Sequence, residues 1–204
     1  MKKGISKNLE KAYIIYDKLY YGSSSKKKKL ALSKQYFSLL KRTAYAGNVE
    51  GMYLLGIFYQ FYVEEQIALK AKSLKNETVY QKRAFYWLEK ACKLDHPYAC
   101  HNLGGFYSSG EIVAKNEKKE IQLYLKAYKL GLNESGYALA ILYKQQFDFE
   151  KSISWLNKVL EMQPDDGEAL FELAKYYYEG KGIKKSYRNA YELFRKVISS
   201  SNVT

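Results

Sequence analysis

Residues 97–132 read PYACHNLGGFYSSGEIVAKNEKKEIQLYLKAYKLGL, and this stretch decides the fold. Its first half sets Ala99, Leu103, Gly104 and Tyr107 at successive spacings of four, one and three residues. At about 100° of rotation per residue these positions share an arc of roughly 140°, as on a helix with one packing face. The two small residues let a neighbouring backbone come close. The second half, KEIQLYLKAYK, keeps the same helical period, with Leu123-Tyr124 on its apolar face and Lys126 two positions on. Gly110 and Gly131 stand where the two helices should end, since a left-handed cap suits glycine. The unit is a pair of antiparallel helices.

The unit recurs along the chain. Gly51, Leu55, Gly56 and Tyr59 repeat the first pattern, as do Ser135, Leu139, Ala140 and Tyr143, and then Ala169, Leu173, Ala174 and Tyr177. From Gly51 to Ala99, Ser135 and Ala169 the starts lie 48, 36 and 34 residues apart, and the last two intervals suit a helical hairpin repeat. RAFYWLEKACK, KSISWLNKVLE and NAYELFRKVIS align without gaps to the second pattern, with Trp87-Leu88, Trp155-Leu156 and Leu193-Phe194 followed by Lys90, Lys158 and Lys196. QYFSLLKRTAYAGN at 35–48 is a fifth copy. Residues 6–21 are its weaker first helix, with Tyr13, Tyr16 and Tyr20 at helical spacing. Gly22, Gly47 and Gly180 are further expected C-terminal caps, and Asn48, Asp95, Asn133 and Asp165 expected N-terminal ones. Pro97 suits a first turn.

The expected fold is all-α, a right-handed α-solenoid of about five antiparallel helix pairs. Residues 1–204 read as a single repeat solenoid: a basic N-terminal helix pair at 1–48, a repeat at 49–96 with a long insertion at 60–79, repeats at 97–132, 133–164 and 165–198, and a polar tail at 199–204. The insertion either extends both helices or forms a loop over one face.

ACHNLGGFYSSG with KKEIQLYLKAYKLG resembles the SEL-one-like repeat family, a relative of the tetratricopeptide repeat. FELAKYYYEGKGIKKSYRNAYELFRKV resembles it too, including the Gly180-x-Gly182 turn, and the likeness covers roughly residues 35–198. Departures are the insertion, Ile112 in place of a second loop glycine, and the short KQQFD loop at 144–148. The resemblance implies a scaffold that grips a protein partner on a concave face. It also raises an immunity or adaptor role against a cognate toxin, and composition and repeat type together point to a bacterial source.

The side of each first helix away from its packing arc carries Tyr53, His101, Tyr137 and Phe171, then Ile57, Ile141 and Lys175, with Tyr178 further along. With Tyr98 these form the expected protein-binding surface, because aromatic side chains give much contact area at low entropic cost. The same rings could instead wedge between adjacent first helices and serve the core. Glu50, Glu134, Glu168 and Glu179 border the surface.

Cys92 and Cys100 are the only cysteines. Neighbouring antiparallel helices can bring such a pair within disulfide distance, and the spacing looks like that of cysteine-rich secreted members of the resembling family. Two buried thiols fit as well. With no apolar leader visible and no stretch near the roughly 20 residues that span a bilayer, the expected location is cytoplasmic, or periplasmic or secreted if a leader was removed and Cys92–Cys100 is oxidised.

The formal charge of +13 is concentrated: residues 1–48 hold 12 Lys and Arg against Glu10 and Asp17. Lys26, Lys27, Lys28 and Lys29, read as a loop between the first two helices, form a basic patch able to touch phosphates or an anionic membrane. The patch lacks interleaved arginine and aromatics for base stacking, so nucleic acid is not the expected partner. There is no phosphate-cradling glycine loop, no nucleophile elbow and no spare histidine for a triad, so the chain does not read as an enzyme. Cys92, His96, Cys100 and His101 match no familiar zinc spacing, and neither metal nor cofactor is expected. The last repeat ends at SSSNVT without a polar capping helix. A homo-oligomer formed through the C-terminal repeat would cover its outer apolar face.

Overall fold

The computed structural model describes residues 6–22, 25–62 and 74–201, and all regular elements among them are helical. Ten α-helices follow in order: α1 (Lys7–Tyr20), α2 (Lys26–Tyr45), α3 (Val49–Ile57), α4 (Leu74–Lys93), α5 (Pro97–Ser109), α6 (Glu117–Lys129), α7 (Asn133–Gln145), α8 (Phe149–Met162), α9 (Gly167–Glu179) and α10 (Tyr187–Ser201). The fold class is all-α, as the spacing predicts. Of the expected insertion, Phe58–Tyr62 prolongs α3 as a π-helical turn and α4 starts early, at Leu74; residues 63–73 lie outside the described set. The helices gather into two compact units, Met1–Glu117 and Lys118–Thr204, each described by itself below.

Local chemistry sets the helix starts. The Asn48 side chain accepts the Gly51 N–H at 2.8 Å, Asp148 that of Lys151 at 3.1 Å and Asp166 that of Ala169 at 2.9 Å. Each such cap contributes about 1 kcal/mol by satisfying an orphan donor. Four expected caps shift. Asp166, not Asp165, caps α9, because only its carboxylate reaches back to Ala169. Asp95 is instead the turn residue at φ 60°, and His96 takes the cap. Asn133 opens α7 from inside, its amide donating to Val159 O at 3.3 Å and Gln163 Oε1 at 2.6 Å. Gly22 follows α1 without a left-handed φ. Lys26–Lys29 form the first turn of α2 and not a loop, since lysine is a good helix former and Ser25 provides the extended residue before it.

In the first unit α1 packs on α2, α2 on α3, α3 on α4 and α4 on α5. Leu9, Ala12, Leu40, Leu55, Leu88 and Ala91 are buried at the contacts, each leucine contributing on the order of 1.5–3 kcal/mol. The small residues of the repeat pattern permit this: a Cβ on Gly56 would stand 2.8 Å from Leu88 Cγ. Tyr36 and Tyr59 are buried in this core. Tyr16 meets Tyr36 at 5.9 Å and Tyr36 meets Phe58 at 5.8 Å, tilted arrangements that suit ring quadrupoles.

In the second unit α7 packs on α8, α8 on α9 and α9 on α10. Ala140, Ile153, Leu156, Val159, Ala169, Leu173 and Tyr176 form one buried cluster. Buried Ser152 donates to Ala140 O and accepts from the Tyr176 hydroxyl, both at 2.8 Å, which leaves neither hydroxyl unpaired. Gly182 explains the second glycine of its turn: φ is 64° and an added Cβ would meet Phe149 Cβ at 2.6 Å.

Candidate functional site

In the first unit the candidate surface is built round Glu50, in the first turn of α3. Tyr13 from α1 donates its hydroxyl to Oε1 at 3.0 Å, and His96 Nε2 meets Oε2 at 3.1 Å. His96 Nδ1 accepts the Ala99 N–H at 3.2 Å, so the ring proton sits on Nε2 and is donated to Glu50. These bonds, His96's first, hold the Glu50 carboxyl below its usual range although burial opposes them. Burial, with Glu50 next to it, pushes the Tyr13 hydroxyl up to about 12. One turn along α3, Tyr53 stacks on His96 with centroids 4.3 Å apart, and Tyr98 lies 6.0 Å from Tyr53. Tyr53 is half-buried, its hydroxyl raised mainly by burial. Tyr98 is exposed, while Ile57 and His101 are partly buried.

Cys92 and Cys100 are joined as a disulfide with Cα atoms 4.6 Å apart. It closes the turn that carries both His96 and the left-handed Asp95, and so ties the end of α4 to the first turn of α5. Among the described residues no group of three or more His, Cys, Asp and Glu is placed to hold a metal ion.

In the second unit α7 and α9 present the remaining residues. Tyr137 is half-buried against the core cluster, and burial first, then Glu172, Glu168 and Asp166, pushes its hydroxyl up to about 12. Ile141 and Lys175 are partly buried. Phe171 is 46% exposed and Tyr178 is exposed as well. Lys175 Nζ stands 5.6 Å from the Phe171 ring centre. Glu172 binds two lysines at once, Lys144 at 2.6 Å and Lys175 at 3.1 Å. Burial resists its ionisation, yet the two lysines prevail and hold its carboxyl below the usual range. The patch thus fixes two ammonium groups on one carboxylate beside open aromatic rings.

The expected surface residues therefore have unlike fates: Tyr98, Phe171 and Tyr178 are open, whereas Tyr53 and Tyr137 are wedged at the edge of the core. Sequence reasoning missed the part played by His96 and the Glu172 hub. Their signals were a histidine directly before Pro97, in the N-cap position, and a glutamate one turn before Lys175. In the basic end, the side chains of Lys27, Lys28 and Lys29 are exposed, and the first turn of α2 holds no acidic residue.

Comparison with known proteins bears on both units. The Sel1 repeat family matches residues 2–24, 79–96, 97–132 and 167–200, just over half the chain. Chitin synthase regulatory factor 3 of Schizosaccharomyces pombe is 23% identical over 171 residues, 78% of this chain but 17% of that protein. Beta-lactamase HcpA of Helicobacter pylori is 36% identical over 69 residues, 34% of this chain and 27% of that protein. The chain thus spans well under a third of either curated relative. Among solved structures, a Sel1 repeat protein from Oxalobacter formigenes superposes with a TM-score of 0.73 at 20% identity, covering 100% of this chain and 76% of that one. A protective antigen of uropathogenic Escherichia coli strains, with an SLR fold, gives a TM-score of 0.68 at 24% identity over 93% of this chain and 38% of its own. Those likenesses show the fold, of the α-solenoid class.

Proposed function

The chain belongs to the Sel1 repeat family, and from that premise we propose that it is a non-catalytic adaptor that binds a protein partner through the exposed side of its first-position helices. Sel1 repeat proteins generally mediate protein–protein interaction. The observation that carries the reading here is the α9 surface, where Phe171 and Tyr178 lie open beside Lys144 and Lys175, both held on Glu172. Open rings supply apolar contact at small entropic cost, and the clamped lysines offer donors already ordered for a partner's acidic group. Tyr98 is an open ring of the first unit, one residue before the start of its repeat pattern. Neutralising a cognate toxin, as an immunity protein does, is one form of such binding, and it rests on family resemblance alone.

The test is affinity capture from source cells with the wild type and with Phe171→Ala, Tyr178→Ala and Tyr98→Ala combined, partners identified by mass spectrometry. One protein recovered by wild type and lost from the folded variant supports the reading. Equal recovery by both rules these rings out as the site. Nitrocefin hydrolysis by the purified chain above the buffer rate would overturn the non-catalytic reading.

A second reading rests on the unbalanced first turn of α2. Lysines at the positive end of a helix macrodipole repel it, and an outside anion would relieve them. This supports a nucleic-acid or anionic-membrane contact. Binding lost both at high salt and in the variant with Lys27, Lys28 and Lys29 changed to Gln is its signature. As to compartment, the Cys92–Cys100 disulfide favours a periplasmic or secreted location over the cytoplasm.

A further inference from the structure

From the outer side of α10 we infer a second docking surface, one that takes an acidic amphipathic helix. α8 and α10 are equivalent second helices, so that Phe149, Ile153 and Leu160 correspond to Tyr187, Tyr191 and Ile198. On α8 this stripe is covered: Ile153 is 7% exposed and sits in one cluster with Ala169, Leu173 and Tyr176 of α9, while Phe149 meets the Tyr176 ring at 5.9 Å. On α10 the stripe stands open, with Tyr191 and Ile198 each 64% exposed and Tyr187 60%. At about 100° per residue the three α10 side chains fall within roughly 40° of one another, apart from buried Ala190, which points to the inner side.

The flanking charges name the occupant. On α8 the positions beside the stripe are Glu150 and Asn157, whereas on α10 they are Arg188 and Arg195, both exposed. Residues 181–201 hold six Lys and Arg against Glu192 alone. The helix that covers α8 is the acidic α9, with Glu168, Glu172 and Glu179 against Lys175. A helix seated on α10 in the same manner presents a small residue, Leu and an aromatic at i, i+4 and i+7, and meets the arginines with carboxylates. A second copy of the chain is disfavoured on either side: α10 against α10 sets arginine on arginine, and residues 1–48 carry 12 basic residues against two acidic ones.

The probe is a labelled synthetic helical peptide bearing the α9 stripe of Ala169, Leu173 and Tyr176, with glutamate at its other charged positions. A counterpart has lysine there. Fluorescence anisotropy against the full chain should show the glutamate peptide binding at least about tenfold tighter, with the preference shrinking as salt rises. Tyr191→Ser with Ile198→Ser should cost at least about tenfold. Arg188→Glu with Arg195→Glu, exposed changes that leave the core intact, should invert the preference. Lys144→Gln, which breaks the ion pair with Glu172 at the surface proposed above and lies off α10, should change nothing, which separates the two surfaces although Tyr178 and Tyr187 meet at 5.4 Å. Equal affinity for the two peptides, or a preference that survives the arginine reversal, overturns the inference. So does a chain that sediments as a dimer and becomes monomeric on Tyr191→Ser, since a second copy would then hold the face.

Discussion

Tyr137 and Phe171 occupy the same place in successive repeats, and so do Ile153 and Tyr191, yet one of each pair is packed and the other is open. The side chains differ little in kind. The difference lies in the next element: α9 and its turn cover the face of α7 and α8, while α9 and α10 show theirs to solvent. In a repeat fold a position is core or surface by virtue of its neighbour, and its own chemistry decides only what it can do once its exposure is fixed. The sharpest way to break this comparison is to shorten both members of one pair. Ile153→Ala should cost about 2–5 kcal/mol, and Tyr191→Ala within about 0.5 kcal/mol of nothing. Urea unfolding followed by circular dichroism measures both, and similar midpoints would mean that the outer face of α10 is packed in solution.

That pair also marks what could be read in advance. Helix number and the packing arc of each helix follow from spacings that recur in register, because a helix must bury one arc whatever surrounds it. Exposure does not follow. Tyr53, Tyr137 and Phe171 share one helical phase, but His96 covers the first ring and the core cluster the second, while among the described residues Phe194 meets the third only at its side and leaves it 46% exposed. Phase gives direction and leaves open what lies in that direction. The misplaced caps have a local cause: Asp165 and Asp166 are adjacent and chemically alike, and only the chain path decides which reaches Ala169. Lys26–Lys29 carry no hydrophobic period, so nothing in them announces a helix.

The inter-repeat turns offer the next contrast. In the second unit Gly131 supplies the left-handed residue between α6 and α7 at φ 94°, a conformation glycine adopts without penalty. In the first unit Asp95 takes that role at φ 60°, and Cys92–Cys100 spans it. Holding a side chain there costs something, and the cross-link offsets it by limiting the unfolded chain. Cys92→Ser with Cys100→Ser should therefore lower stability by about 2–3 kcal/mol, read as a fall in unfolding midpoint equal to that caused by reductant. Asp95→Gly in the double variant should return part of the loss. No recovery would place the cost elsewhere than in the turn.

His96 tests how the first unit fixes Tyr53 where the second uses apolar packing for Tyr137. His96→Ala removes the cap of α5, the stacking partner of Tyr53 and the donor to Glu50 together. A loss of about 1–2 kcal/mol is expected. His96→Asn restores a cap and should recover the smaller part of it. If Asn recovers everything, stacking and the Glu50 bond contribute nothing, and Tyr53 is held by burial alone.

The mildest contrast is in titration, and the two units should answer alike. Tyr13 and Tyr137 are each raised from 10.0 to about 12. For a group whose folded pKa is raised, the stabilisation is whole below the unfolded value and disappears as pH rises through the folded one. Both tyrosines should thus lower the melting temperature between about pH 10 and 12. At the acid end Glu50 and Glu172 are lowered, so their stabilisation is present above the ordinary carboxylate range and is lost as pH falls through the depressed values. Tyr13→Phe separates the units. It removes one alkaline titration and one hydrogen bond to Glu50, so the alkaline fall should shrink, and the acid fall should become slightly smaller and end at slightly higher pH, its onset still set by the unfolded carboxylate and His96 still holding most of the shift. Tyr137→Phe should shrink the alkaline fall alone, because its raised value comes first from burial and no carboxylate relies on its hydroxyl among the hydrogen bonds of Glu172, which go to Lys144 and Lys175. Should Tyr13→Phe leave the acid limb unchanged, the Tyr13–Glu50 bond does not persist in solution and the first unit owes its order to His96 and the disulfide.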